Sequence, residues 1–238
     1  DVPGFLTSVL ATGYTGTISL EILNDTMRAA PPRQTALDGM RSLLFLEEQV
    51  RRTAELEAAR VLVAGGQPKR RRVELFDPPA APLILGITFL EFTVDSAADK
   101  ALSRLLEAMG FRKMGRHRTK KVTLYGQGGI RIVLNREPDS FAHSYMLVHG
   151  PSVCAMAVQV DDAPAAISRA LAYGCQQFES RVGAQEKSIP AVRMPNGGLI
   201  YFTDAEATNT AAFESDFIID HEAAIPDGPL TRIDHIAE

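Results

Sequence analysis

Two side chains are of the type and placement to hold a metal ion, Glu21 and His235. Glu21 lies near the end of Thr17-Ile18-Ser19-Leu20-Glu21-Ile22-Leu23, a short β-rich run stopped by Asn24-Asp25. A carboxylate at the C-terminal end of a parallel strand points into the mouth where α/β sheets and barrels keep their sites. It is a hard oxygen donor, suited to Mg²⁺ or Mn²⁺. The alternative is a strand-end Glu open to water or paired with Arg28. His235 alternates with Ile233 and Ile236 on an expected strand. Imidazole is a common metal ligand, and the alternative is an edge-strand histidine. His117, His143 and His149 have no ligand spacing, and His117 sits in Arg116-His117-Arg118-Thr119-Lys120-Lys121, which reads as a solvated strand and turn. His221, between Asp220 and Glu222, reads as a surface histidine. Cys154 reads as core, and with Cys175 it forms neither a CxxC motif nor a disulfide scaffold.

The elements that must position these residues begin with a helix. Phe5, Leu6, Val9 and Leu10 recur at helical spacing and Gly13 stops them. The strand of Glu21 follows, making an αβ step of a parallel sheet. A long helix is expected over 35–63, with Thr35 as N-cap and Leu37, Met40, Leu44 and Val50 on its apolar face. Residues 64–84 carry Gly65-Gly66, Pro68, Pro78-Pro79 and Pro82, the breakers of a linker. The run Lys69-Arg70-Arg71-Arg72 within it reads as solvated linker charge.

Residues 85–206 contain a duplication. Ala101-Leu102-Ser103-Arg104 recurs as Ala166-Ile167-Ser168-Arg169, and Gly128-Gly129-Ile130-Arg131 matches Gly197-Gly198-Leu199-Ile200, at offsets of 65 and 69 residues. Each copy reads strand, helix, strand, strand, strand. The helix starts are marked by Asp95 or Ser96 with Asp99, and by Asp162 with Pro164. Gln127-Gly128-Gly129 and Asn196-Gly197-Gly198 read as hairpin turns, and a short helix near 139–149 joins the copies. A metal-binding module would place inward polar ligands at matching places on its first and last strands. The first copy offers Glu91, but the second offers Met156 or Val158, then Ile200, Tyr201 and Phe202. The pair therefore reads as structural, or at most as a binding surface. Residues 231–238 can be laid on Thr88-Phe89-Leu90-Glu91-Phe92 and read as the opening strand of a third copy.

Composition bounds the function class. Of 238 residues, 45% are hydrophobic and 23% charged, the balance of a soluble globular chain with an ample core. A net charge of −4 argues against a general nucleic-acid binder. No apolar run approaches the roughly 18 residues of a membrane span. The start, Asp1-Val2-Pro3-Gly4, carries neither Met nor a signal peptide, so the chain is expected to begin inside a longer protein. Expected partners are a small-molecule substrate, with no nucleic acid and no membrane, in the cytoplasm, and a homo-oligomer is allowed.

Two resemblances follow from particular residues. Phe111-Arg112-Lys113, His117-Arg118-Thr119-Lys120, Val122-Thr123-Leu124-Tyr125-Gly126-Gln127-Gly128 and His149-Gly150-Pro151-Ser152-Val153-Cys154-Ala155-Met156-Ala157 resemble the N-terminal half of 4-hydroxyphenylpyruvate dioxygenases. The resemblance covers about residues 85–238 and implies a vicinal oxygen chelate fold of paired βαβββ modules. It also implies that this half is the non-catalytic one. The catalytic half of that family begins its ligand set with the His of an Asp-His pair, which Asp234-His235 matches.

Gly13-Tyr14-Thr15-Gly16, Ser19-Leu20-Glu21-Ile22, Asn24-Asp25 and Ala36-Leu37-Asp38-Gly39-Met40-Arg41-Ser42-Leu43-Leu44 resemble the last strand and closing helix of a sugar-phosphate-isomerase-like TIM barrel. In such barrels the Glu of this strand binds a divalent metal, which carries over to Glu21. The fold class implied is α+β, a vicinal oxygen chelate domain preceded by the last βα unit of a TIM barrel. Its expected parts are a barrel remnant at 1–63, a linker at 64–84, two modules at 85–230 and the start of a metal-binding module at 231–238. The combination resembles the bacterial two-domain 3-dehydroshikimate dehydratases. That family implies loss of water from 3-dehydroshikimate to give protocatechuate, in quinate and shikimate breakdown. It implies a divalent metal (Mg²⁺, Mn²⁺ or Co²⁺) acting as Lewis acid on substrate oxygens, with Glu21 as one ligand. The catalytic base and the other ligands would lie outside this chain, which alone is expected to be inactive. Two competing readings are an Fe²⁺-dependent 4-hydroxyphenylpyruvate dioxygenase and a non-catalytic scaffold.

Overall fold

The computed structural model describes residues 1–67, 73–179, 186, 188–204, 213, 215–220 and 228–236. The basic run from Lys69 to Arg72 and His221 lie outside the described residues. The chain divides into two compact units. One is Asp1–Pro79 with Ala172–Gly174, and the other takes the rest from Ala80 onward.

In the first unit, α1 (Val2–Ala11) opens with the Asp1 carboxylate accepting from the Gly4 amide. It stops before Gly13, whose φ of 87° suits a residue without Cβ. The expected strand over 17–23 does not form. A strand needs a ladder partner, and none pairs with this segment among the described residues. The run is extended instead, with Ile18 and Leu20 about half exposed and Leu23 exposed at 85%. Leu20 lies against α3 (Pro32–Val63) at Gly39, where an added Cβ would come within 3.3 Å of the leucine methyl. Asn24 does not simply end the run. Its side chain accepts from the Met27 amide at 3.1 Å and caps α2 (Asp25–Ala29), a turn of helix that the sequence reading missed. Helix α3 also starts earlier than Thr35. Pro31 takes the cap position and Pro32 the first turn, where a missing N–H costs nothing. Thr35 lies inside that turn and gives its hydroxyl to the Met27 carbonyl at 3.2 Å.

The second unit is a duplicated βαβββ sheet. The first copy runs β1 (Ile84–Thr93), α4 (Ser96–Ala108), β2 (Arg112–His117), β3 (Val122–Gln127) and β4 (Ile130–Asn135). Helix α5 (Phe141–His149) links it to β5 (Ser152–Val160), α6 (Ala163–Ala172), β6 (Gln177–Phe178), β7 (Ala191–Arg193) and β8 (Leu199–Asp204). A further strand, β9 (Phe217–Ile219), adds to the edge at β2. The sheet order is β6-β7-β8-β5-β1-β4-β3-β2-β9. In each copy the first and last strands are parallel neighbours, β1 with β4 and β5 with β8, and the two copies meet where β1 runs antiparallel to β5. Asp95 caps α4 by accepting from Ala97 and Ala98, and Asp162 accepts from Ala165 at the start of α6.

Strand alternation separates two apolar layers. Ile130, Ile132 and Leu134 pack with Leu106 and Phe111 under α4, while Phe89, Leu124 and Val133 face the other way and meet Phe213 and Phe217. Phe217 is brought by β9, which can approach β2 because Gly115 has no Cβ. An added Cβ would lie 2.6 Å from the Ile218 carbonyl oxygen. Cys154 is fully buried in β5, as its place in the run Ser152–Val160 leads one to expect. Among the described residues no helix is long and apolar enough to cross a membrane.

One buried polar pair links the copies. The Thr88 and Thr203 hydroxyls meet at 2.6 Å, with Thr203 also reaching the Val158 carbonyl. Thr203→Val should leave Thr88 without that partner and cost about 1–3 kcal/mol. The double change with Thr88→Val should recover much of the loss. Urea midpoints of the three variants at constant slope measure both effects.

Candidate functional site

Neither proposed metal donor meets a ligand set among the described residues. Glu21 is exposed in the extended segment. Arg28, its alternative partner, instead pairs with Asp25 at 3.3 Å. His235 is also exposed, and its Nδ1 lies 3.1 Å from Asp234 Oδ2. The expected strand at 231–236 is not formed. Among the described residues the segment holds to the β3–β4 turn by one backbone bond, Gly129 N–H to the Thr231 carbonyl, and by Ile233 packed under the first copy. One bond anchors a segment but does not build a ladder. No group of three His, Cys, Asp or Glu converges among the described residues.

His117 corrects the reading of a solvated turn. Its side chain is 8% exposed, with the Phe217 ring edge-on at 5.3 Å. The cause is β9, whose pairing with β2 the sequence did not reveal. The Thr119 and Lys120 amides both donate to Nδ1 at 3.2 Å, so this nitrogen is an acceptor. Burial holds the imidazole below its usual range, against the pull of nearby Glu186. The group is a buried structural histidine.

The concave face of the sheet carries a cleft of about 860 Å³. Its floor takes Glu91 from β1, Asn135 from β4 and Tyr201 from β8, and its wall takes α5 and the end of β7. Glu91 and Phe89 share a strand face, as do Asn135 and Val133, so the two polar residues arrive beside the apolar layer. The Asn135 amide donates to Glu91 Oε1 at 2.7 Å. Burial pushes the Glu91 carboxyl above its ordinary value, more strongly than Asn135 and the Lys120 charge lower it. Burial, with Glu91 next, likewise pushes the Tyr201 phenol well up. Tyr145 stacks on His149 at 4.1 Å between centroids, and the Arg193 guanidinium lies 5.3 Å from the Phe141 ring and 5.0 Å from the Phe178 ring. Lys120 is held by Glu186 at 2.6 Å. Asp139 and Glu179 complete the charged lining.

The sequence profile described as "Hydroxyphenylpyruvate dioxygenase, HPPD, N-terminal" matches residues 76–218. The chain belongs to this family. The match begins close to the boundary between the two units and covers the duplicated sheet. The chain is 47% identical over its whole length to a 3-dehydroshikimate dehydratase of Pseudomonas putida, and 44% to one of Pseudomonas aeruginosa. It spans 36% of the length of each. A 4-hydroxyphenylpyruvate dioxygenase of a Pseudomonas species is 36% identical over 61% of this chain and 40% of its own length. Among solved structures, a fusion of a xylose isomerase-like TIM barrel with 4-hydroxyphenylpyruvate dioxygenase aligns at a TM-score of 0.82. It is 45% identical, over 99% of this chain and 36% of that one. The vicinal oxygen chelate architecture expected of 4-hydroxyphenylpyruvate dioxygenase relatives is thus present in the paired modules.

Within this hydroxyphenylpyruvate dioxygenase-like half, the sequence pointed to Glu91 but missed Arg193 and the aromatic wall. The available signal was a cation ending the apolar β7, Ala191-Val192-Arg193, directly before a turn. Glu91 also yields a pH test. Its raised carboxyl keeps its proton in the folded chain to a higher pH than in the unfolded one. Its contribution is therefore full below the ordinary value of 4.5 and is lost as pH rises through the folded value. Glu91→Gln should raise the thermal midpoint at neutral pH, and the difference should fade below about pH 4. Melting curves from pH 3.5 to pH 8 (roughly the span between carboxyl and neutral range) check this.

Proposed function

We propose that this chain is the central part of a 3-dehydroshikimate dehydratase, joining the end of its barrel domain to the first half of its hydroxyphenylpyruvate dioxygenase-like domain. The observation that carries the reading is coverage. The dehydratase relatives match the whole chain, across both units, whereas the dioxygenase relative matches 61% of it. In this reading residues 1–63 close the barrel, 64–84 connect, 85–230 form the two modules and 231–238 begin the next.

The reaction removes water from 3-dehydroshikimate. A ring C–H proton and a hydroxyl group leave, and the ring becomes the aromatic protocatechuate. Family likeness to 4-hydroxyphenylpyruvate dioxygenases supports a divalent metal in the parent protein. The described residues do not by themselves make a site for it, because Glu21 is a single exposed carboxylate and His235 a single exposed imidazole. Glu21 and His235 are proposed as donors to two different metal sites, each needing residues from outside this chain. Mg²⁺, Mn²⁺ and Co²⁺ are the ions suited to the carboxylate.

Incubating the intact parent protein with 3-dehydroshikimate tests the reading. Protocatechuate should appear by its ultraviolet absorbance and be lost with chelator. Glu21→Ala should lower turnover by about 100-fold or more, the scale at which metal-site changes act. His235→Ala should leave dehydration in place and lower only the metal content of the second domain. Absence of product, together with oxygen uptake on 4-hydroxyphenylpyruvate and Fe²⁺, would instead favour the dioxygenase.

A further inference from the structure

The cleft of the paired modules contains three features that a scaffold does not need. The first is Arg193. Among the described residues its guanidinium meets no carboxylate, and its neighbours are the faces of Phe141 and Phe178. An arginine stacked between rings keeps its N–H edges available, and those edges match a carboxylate in a bidentate fork. The second is Glu91. One of its oxygens accepts from Asn135, and the other has no protein donor among the described residues. A carboxyl oxygen deep in a cleft is costly unless something donates to it. The third is the wall. Phe141, Tyr145, Phe178 and Tyr201 present rings to a space of about 860 Å³. That volume lies within the roughly 300–1,000 Å³ of small-molecule sites, which are mostly apolar with a few placed polar groups.

The duplication shows that these groups are particular to one half. On the sheet face of Glu91 the second copy's first strand carries Ala155 and Ala157, opposite Glu91 and Phe89, and its last strand carries Leu199 and Tyr201 before it ends at Asp204. Asp204 accepts from the Ala163 amide and serves α6, not a cleft. The polar pair is therefore not a requirement of the βαβββ module, since the second copy builds the same strands without it.

We propose that this cleft binds a small planar ring carrying one carboxylate and a ring hydroxyl, an acid of the hydroxybenzoate class. The carboxylate sits on Arg193, the ring against the aromatic wall, and the hydroxyl donates to the free oxygen of Glu91. Asp139 and Glu179 at the lining disfavour a second negative charge, so a monoanion is preferred over a dianion. Lys120 is already engaged by Glu186 and is not the anion's main partner. The inference stands without the proposed dehydration, although protocatechuate belongs to the same chemical class.

The test is titration of the 238-residue chain with 4-hydroxybenzoate, followed by calorimetry and by amide chemical shifts. Saturable binding should move resonances of Tyr145, Arg193 and Tyr201. Benzoate should bind more weakly, and 4-hydroxybenzyl alcohol, which lacks the charge, should not saturate. Arg193→Met should weaken 4-hydroxybenzoate by about tenfold or more, the scale of a lost charge-assisted pair. Glu91→Met, which removes the acceptor, should abolish the preference over benzoate. Near-ultraviolet dichroism checks that each variant is folded, and the shift map of the unaltered chain decides the matter if one is not. No saturation at millimolar ligand, shifts outside the cleft, or an unchanged affinity in folded Arg193→Met would each overturn the proposal.

Discussion

Strand β1 lies antiparallel to β5, from Ile84 opposite Val160 to Thr93 opposite Ser152. This seam joins the two copies into a continuous sheet and turns their first strands into neighbours. Small residues make the close approach possible: Ala155 and Ala157 are fully buried opposite Glu91 and Phe89. The register has a chemical consequence. It sets the first copy's Glu91 and Asn135 and the second copy's Tyr201 on one concave face, so the cleft is built from both copies. A slip of one residue along β5 would turn its alternate set to the wrong layer.

The copies share a backbone plan and differ in what they place on it. The first spends a carboxylate and an amide on the cleft floor, whereas on that face the second places alanines on β5 and Tyr201 on β8. Divergence of this kind is easy once each strand is held by its ladder, because side chains on the concave face are not needed for pairing. Strand β9 covers β2 and buries His117 with Phe217, which closes an edge that would otherwise present open backbone groups.

Legibility in the sequence followed the locality of the signal. The duplicated strand–helix–strand order, the caps at Asp95 and Asp162, the turns at Gly128 and Gly197 and the core place of Cys154 are written in short patterns. What could not be read is what depends on partners distant in the chain. The run 17–23 has the composition of a strand and no ladder among the described residues, and Leu23 is exposed. The segment at 231–236 has the alternation of a strand but, among the described residues, one backbone bond, from Gly129. β9 is short, and its pairing with β2 spans about a hundred residues of sequence. For the site, Glu91 was visible as an inward polar residue, whereas Arg193 acquires meaning only when Phe141 and Phe178 close around it.

The β1–β5 seam is the stable heart of the duplicated sheet, whereas the segment bearing Glu21 has no ladder among the described residues. Hydrogen exchange of the full chain, read by mass spectrometry at residue resolution, tests this most directly. The slowest amides should lie in β1 and β5, with earlier exchange at β6 and β9 and near-unprotected rates over residues 17–23. Protection of 17–23 equal to that of the seam, or loss of the seam before the edge strands, would contradict it.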